Sequence, residues 1–349
     1  MIRKSLSITT LAAALAGFVC CGAAQARDLT VVSFGGALQD AERDLYFTPF
    51  KQQTGIKMTD ETWDGGVGVL RAKVQGGNAS WDVVQMDSSE LAVGCEEGLY
   101  ETIDFSRIGG KDAYLPFAVS QCGVGVIVYD YVLAYDGDKL KDGPKSWADF
   151  FDQKKFPGKR AMRQGPQTNL EIALMADGVK PADVYKVLAT EEGVQRALNK
   201  LETIKPQLIF WKAGAQPPQF LASGEVVMTT SYNGRISAAN KQDHRNFKMT
   251  WNGAIYVVDS WAILKGSPKM DDAYKFLAYV GKPDVQKTLP ERIAYGVTAA
   301  KAGALISADR LIDLPSAPEN LAQAIPYDAA FWLENTDRLT ERFNKWAAK

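Results

Sequence analysis

The sequence predicts an α/β protein: an open, mostly parallel sheet with helices on both faces, divided between two lobes. Three observations carry this. Short apolar runs alternate with helical periodicities along nearly the whole chain. No Pro- or Gly-rich linker marks the end of an independent domain. At 349 residues the chain suits one large or two medium cores. Strands that cross between two lobes reconcile the unbroken pattern with that length.

The segment 1–26 stands apart. Arg3 and Lys4 give a positive start, an apolar run follows from Leu6 through Val19, and Ala24-Gln25-Ala26 supplies a small–x–small cleavage pattern. This reads as a secretory signal peptide cut after Ala26, and so as a protein of the periplasm. Cys20 and Cys21 lack the small residue that lipid attachment needs before a cysteine, since Val19 precedes Cys20.

The elements follow in order. Leu29–Phe34 is a buried strand closed by Gly35-Gly36. Ala37 to Thr54 is helical and Gly55 stops it. Ile56–Met58 is a short strand. Asp64 caps a helix running to Gly76. Asp82–Met86 is a buried strand, followed by Asp87-Ser88-Ser89 and a helix through Gly94. Val124–Tyr129 is a strongly apolar strand. Ser146 caps a short helix, Arg160–Met162 starts a strand, and 169–177 and 183–201 are helical. Leu208–Trp211 is a strand. Val226–Thr230 is another, delivering Ser231 through Arg235 at its end. Ala254–Leu264 is the longest β-like run, and helices cover 271–280 and 331–346.

Bulk properties exclude several functions. The formal charge of −1 argues against nucleic acid, which needs clustered excess Lys and Arg. No stretch after the signal is long and apolar enough to span a membrane. Cys95 and Cys122 remain after signal removal. In an oxidising compartment they form one disulfide, which would stabilise the fold by about 3 kcal/mol. Two thiols and a single His cannot complete a typical structural zinc site. No cofactor or metal is expected.

Ligands of open α/β sheets sit beyond the carboxyl ends of the strands. Four candidate sites fall there. Phe34-Gly35 offers a stacking ring and a close backbone approach, or a core ring and a turn. Asp87-Ser88 offers polar ligands, or a helix cap. Tyr232 and Arg235 offer an aromatic and a guanidinium able to grip a carboxylate, or a surface salt bridge. Asp259 lies inside an apolar strand, where a carboxylate is costly unless paired. Its partner is a bound ammonium or an internal cation. Tyr295 is a further candidate, lining or packed.

Four segments resemble a known family. They are Phe47-x-x-Phe50-x-x-x-Thr54-Gly55-Ile56-Lys57, Trp81–Val84 with Asp87-Ser88, Gly224–Val226 with Tyr232–Gly234, and Asp259–Ile263 with Tyr295. In order and spacing they resemble the solute-binding components of bacterial ABC importers, in the polyamine-binding branch. The resemblance implies the two-lobed periplasmic binding protein fold (type II) with ligand in the cleft between lobes. One lobe is expected at 28–132 with 260–308, the other at 133–259 with 309–349. It also implies a monomer that hands a small amine-containing solute to a membrane permease.

Carried across by position, the family's amine-binding carboxylate falls on Asp259 and its cleft aromatics on Phe34, Tyr232 and Tyr295. Two departures matter. Val257 stands where the family has a Trp. The acidic pair used by long polyamines falls in Gly165–Thr168, which holds no acid. Arg235 would also repel a second ammonium in a dry cleft. Arg235 and Asp259 together complement a zwitterion, as in the branch that binds γ-aminobutyrate (GABA). Putrescine or spermidine is the alternative ligand.

The alternative class is an exported hydrolase. The chain's single His, His244, lies in a polar run, and no Gly-x-Ser-x-Gly elbow occurs. The protein is therefore expected not to be an enzyme. Gly65–Gly68 lacks the phosphate-loop arrangement and reads as a turn before a helix.

Overall fold

The computed structural model describes residues 27–75 and 79–348. The expected signal peptide and its cleavage point lie outside the described residues. Ten strands form one sheet: β1 (Leu29–Ser33), β2 (Met58–Thr62), β3 (Val83–Met86), β4 (Val124–Asp136), β5 (Arg160–Arg163), β6 (Leu208–Trp211), β7 (Met228–Tyr232), β8 (Phe247–Ile263), β9 (Gly296–Val297) and β10 (Ile325–Pro326). The order is β2-β1-β3-β8-β4-β7-β5-β6, with β9 beside β4 and β10 beside β8.

Each end of this sheet is parallel. β1 pairs with β2 and β3, and β5 with β6 and β7. The two long strands β4 and β8 run antiparallel to each other and to their neighbours β7 and β3. They carry the chain from one lobe to the other.

Both strands are longer than the sequence suggests. β4 was expected to stop at Tyr129 and continues to Asp136; β8 was expected to begin at Ala254 and begins at Phe247. β4 passes through Asp130 because the Asn233 Oδ1 amide oxygen accepts its backbone N–H at 3.1 Å. Beyond it, Leu133 and Ala134 pair with Thr250 and Met249. The register shifts between Tyr131 and Leu133. Such an irregularity bends the strand and increases its twist, and here it falls between the two lobes.

Each lobe has its own core. On one face of the first, Val31, Phe47, Phe50, Trp261 and Phe276 are buried together. The next residues along the same strands, Val32 and Val84, point the other way and meet Trp63, Leu70 and Leu91. This is the period of two expected of a sheet covered on both faces. The second lobe packs around Phe150, Leu174, Trp211, Met228 and Phe343. The disulfide Cys95–Cys122 spans 27 residues and ties the helix Ser88–Glu96 to the chain entering β4.

Several elements differ from expectation for local reasons. The first long helix holds a π-helical turn, Arg43–Phe47, between α-helices Gly36–Glu42 and Thr48–Thr54. Adjacent Tyr46 and Phe47 are both buried there. Asp64 does not cap the next helix, which runs Val67–Gln75. Gly65 and Gly66 intervene with φ of 85° and 104°, and the Glu90 carboxylate takes the Gly66 N–H. The expected helix 183–201 is two, Val184–Leu188 and Glu191–Glu202. Thr190 breaks it by capping the second, its Oγ1 accepting the Gly193 N–H at 3.0 Å.

Candidate ligand-binding site

A cavity of about 270 Å³ lies where the strands end between the lobes. Phe34, Gly35, Asp87 and Tyr295 reach it from the first lobe, Tyr232 and Arg235 from the second, and Asp259 from the crossing strand β8. Ser88 does not. As the first residue of its helix it turns to the opposite face of β8, donating to the Val258 carbonyl at 2.9 Å. It lines a second groove there with Tyr256 and Ser260.

Local structure positions each group. Phe34 follows β1 and stacks on Trp63 at 5.6 Å. Gly35 has φ of 72°, and a Cβ there would fall 2.6 Å from Thr62 Cγ2, so only glycine fits. Asp87 follows β3 and caps the helix Ser88–Glu96. Its Oδ1 accepts the Ser89 and Glu90 N–H groups at 2.8 and 2.9 Å, and Glu90 reciprocates at the Asp87 N–H. Asp87 thus caps and lines at once.

Tyr232 is the last residue of β7, and a helix, Asn233–Gln242, begins immediately after it. Arg235 therefore projects from a helical first turn rather than from a strand edge. It is exposed. It forms no salt bridge among the described residues, whereas Arg43, Arg71 and Arg107, for example, all do. Gly214 leaves room for both side chains: a Cβ there would lie 2.9 Å from the Tyr232 ring and 3.5 Å from Arg235 Nε.

Asp259 is 5% exposed and its Oδ1 has no hydrogen-bond partner among the described residues. Burial pushes its pKa well above the usual carboxylate value, and the nearby carboxylates of Asp87, Glu90 and Glu42 push the same way. Glu90 is raised to about 7 by burial and by Asp87. Glu42 is raised to about 8 by burial, against the opposing bond from Ser33 Oγ at 2.6 Å. The site is thus acidic around Asp259 and cationic at Arg235. The Arg235 charge is felt at the Tyr295 hydroxyl, which burial nevertheless pushes up to about 12.

Sequence reasoning missed Tyr129. It lines the cavity at the centre of an aromatic cluster, 5.5 Å from Tyr232 and 6.2 Å from Tyr295. Its only signal was alternation with Ile127, hidden in an apolar run. Val257, at the place of the family's Trp, is buried. The loop Gly165–Thr168 carries Thr168, buried at φ of 66°, a strained conformation for a β-branched residue. His244 lies in an exposed loop. Among the described residues no His, Cys, Asp or Glu group is placed to hold a metal, and no helix is long and apolar enough to cross a membrane.

Known proteins share this design. The family model for bacterial extracellular solute-binding proteins matches residues 46–316. The gamma-aminobutyric acid-binding protein of Pseudomonas aeruginosa is 45% identical over 332 residues, covering 95% of this chain and 94% of that protein. Its putrescine-binding periplasmic protein SpuD is 25% identical over 342 residues, 88% of each chain. An ABC transporter substrate-binding protein of Bradyrhizobium japonicum superposes with a TM-score of 0.84 at 37% identity, over 91% of this chain and 99% of that one. A solved GABA receptor superposes at 0.82 with 32% identity, over 93% and 98%. These relatives bind solutes rather than transform them. The chain belongs to the bacterial extracellular solute-binding protein family and is a non-enzymatic binding component of an ABC importer.

Proposed function

We propose that this protein captures an ω-amino acid of the GABA type. The ammonium sits at Asp259 and the carboxylate at Arg235. The observation that carries the reading is that one cavity holds a buried carboxyl and a guanidinium which, among the described residues, have no hydrogen-bond partner at Oδ1 and no salt bridge, respectively. Tyr129 and Tyr295 line the cavity within reach of the Asp259 charge, where aromatic faces add roughly 0.5–2 kcal/mol each to an ammonium. The 45% identity to a GABA-binding protein supports the same ligand class. Phe34, Gly35 and Asp87 complete the wall. Ser88 belongs to the shell behind it.

The lobes, near 28–132 with 260–308 and 133–259 with 309–349, close on the ligand by bending at β4 and β8. The closed monomer then delivers its cargo to the permease. The mature chain begins at Arg27, after export to the periplasm and cleavage behind Ala26. A diamine is the second reading, favoured by the acidic surroundings of Asp259.

Calorimetric titration of ligand-free protein with GABA, putrescine and spermidine decides between them. One-to-one GABA binding that Arg235→Ala weakens by about a hundredfold, with putrescine unaffected, supports the zwitterion. Diamine binding without GABA binding overturns it.

A further inference from the structure

Arg163 does not line the cavity, yet it is wired to it. It is the last residue of β5, beside Trp211 in the ladder with β6. Its Nη1 donates to the Tyr131 hydroxyl at 3.0 Å. The Tyr131 hydroxyl lies 3.3 Å from that of Tyr232. Tyr131 and Tyr232 are direct cross-strand partners on β4 and β7, with rings 4.9 Å apart. Only Tyr232, at the end of the chain of three, faces the ligand cavity.

Donor and acceptor accounting fixes the direction of this relay. A guanidinium can only donate. Tyr131 oxygen therefore accepts from Arg163. Tyr131 is 3% exposed, and its own hydroxyl hydrogen has one acceptor within reach among the described residues, Tyr232 oxygen. The reverse arrangement would leave a buried hydroxyl hydrogen unbonded, at a cost of about 1–3 kcal/mol. Tyr131 thus donates to Tyr232. The Tyr232 hydrogen is left over, with no acceptor among the described residues. Successive bonds anchored on a charge polarise each other, which makes this last hydroxyl a stronger donor.

The Tyr232 ring and Arg235 share one wall of the cavity: a Cβ on Gly214 would lie 2.9 Å from the ring edge and 3.5 Å from Arg235 Nε. We propose that Arg163, acting through Tyr131, sets the Tyr232 hydroxyl as a hydrogen-bond donor to the anionic end of the bound solute. Arg163 is then a positioning residue that gives the Arg235 end of the cavity its polarity. An ammonium placed there meets a guanidinium and a hydroxyl whose acceptor side is already used. A carboxylate meets two donors. This rests on the ω-amino acid reading and adds to it a determinant that rejects diamines.

The test compares wild type with Tyr131→Phe, Arg163→Met, their double variant and Arg163→Lys. GABA and putrescine are titrated into each. Tyr131→Phe removes one oxygen and leaves the ring packing. The relay predicts GABA binding weaker by about tenfold in Tyr131→Phe and in Arg163→Met, the loss of about one hydrogen bond to a charged group. The double variant is no weaker than either single one, because one chain has been cut twice. Arg163→Lys recovers most of the affinity. Putrescine binding holds or improves. Full GABA affinity in Tyr131→Phe and Arg163→Met overturns the relay and leaves the ω-amino acid reading intact. Equal losses for GABA and putrescine overturn it too, since that marks a general loosening of the cleft. A wild type that binds no zwitterion overturns both.

Discussion

The Tyr295 ring lies against Gly234, across the cleft between the lobes. A Cβ built on Gly234 would overlap Tyr295 Cε1. Tyr295 belongs to the core of the first lobe, and the helix Asn233–Gln242 that holds Gly234 packs in the second through Ile236. One residue earlier, Asn233 Nδ2 donates to the Ala294 carbonyl at 2.6 Å. Two consecutive residues of one lobe thus seat two consecutive residues of the other.

Gly234→Ala therefore tests this contact. Alanine favours a helix over glycine by about 1 kcal/mol, but overpacking against the buried Tyr295 ring costs about 1–3 kcal/mol, so the melting temperature should fall modestly with the fold retained. The methyl displaces Tyr295 from the cavity wall, and affinity for every ligand should fall by about tenfold or more. Titration and melting of the same sample check this. Unchanged affinity would mean that Tyr295 moves without cost.

The sheet and its two-lobed class were legible because strands such as Leu29–Phe34 and Asp82–Met86 carry compact apolar runs. The long reach of β4 and β8 was not. Asp130 interrupts one apolar run and Trp251-Asn252-Gly253 the other, and only tertiary partners carry the strands across these breaks. Asp87, Tyr232 and Arg235 stood out because they follow apolar strands, and Asp259 because a carboxylate inside an apolar strand needs a partner. Ser88 looked equivalent to Asp87, but one step along a helix rotates a side chain by about 100°, onto the other face of β8. Arg163 closed a strand whose legible part ended at Met162. The π-helical turn at Arg43–Phe47 left no pattern at all.

Asp130 makes stability fall as pH rises. It is fully buried, neither carboxyl oxygen has a partner among the described residues, and burial raises its pKa to about 8. Unfolded, it titrates near 3.9. Between these values the folded protein holds a proton that the unfolded chain has released. Its contribution is complete below about pH 4 and is lost as pH climbs toward 8, at up to about 1.4 kcal/mol per pH unit. Glu42 adds a parallel loss over the same window. Asp130→Asn should match wild type in urea unfolding near pH 3.5 and exceed it by a widening margin up to pH 8.5. Parallel curves at both pH values would count against a buried neutral carboxyl.

The disulfide predicts a redox-dependent stability. Closing 27 residues with Cys95–Cys122 restricts the unfolded chain by roughly 3 kcal/mol. Both cysteines pack in or against the first-lobe cluster around Trp63 and Leu70, away from the cavity. Reduction, or a Cys95→Ala, Cys122→Ala variant, should lower the urea midpoint while leaving affinity within about twofold. Mass measurement before and after reductant reports the bond directly, and two free thiols in exported protein would refute it.

Ligand binding itself should release protons. Without ligand, Asp259 is buried, its Oδ1 is unpartnered, and the Asp87, Glu90 and Glu42 carboxyls lie near it. Arg235 acts on the Tyr295 side of the cavity, and Arg163 acts on Asp87. The acidic neighbours and burial together favour the protonated carboxyl. An ammonium at Asp259 reverses this balance, because an ion pair needs the carboxylate. Binding then lowers the pKa of Asp259 and expels its proton. Affinity for an amine should rise with pH until Asp259 is ionised in the free protein, then level off. In calorimetry below that point, the observed enthalpy should change with the buffer's ionisation enthalpy, with a slope approaching one proton released. Asp259→Asn should abolish the slope along with most of the affinity. Glu90→Gln should shift the rise to lower pH by removing a like charge. A buffer-independent enthalpy in the wild type would place the ammonium elsewhere in the cavity.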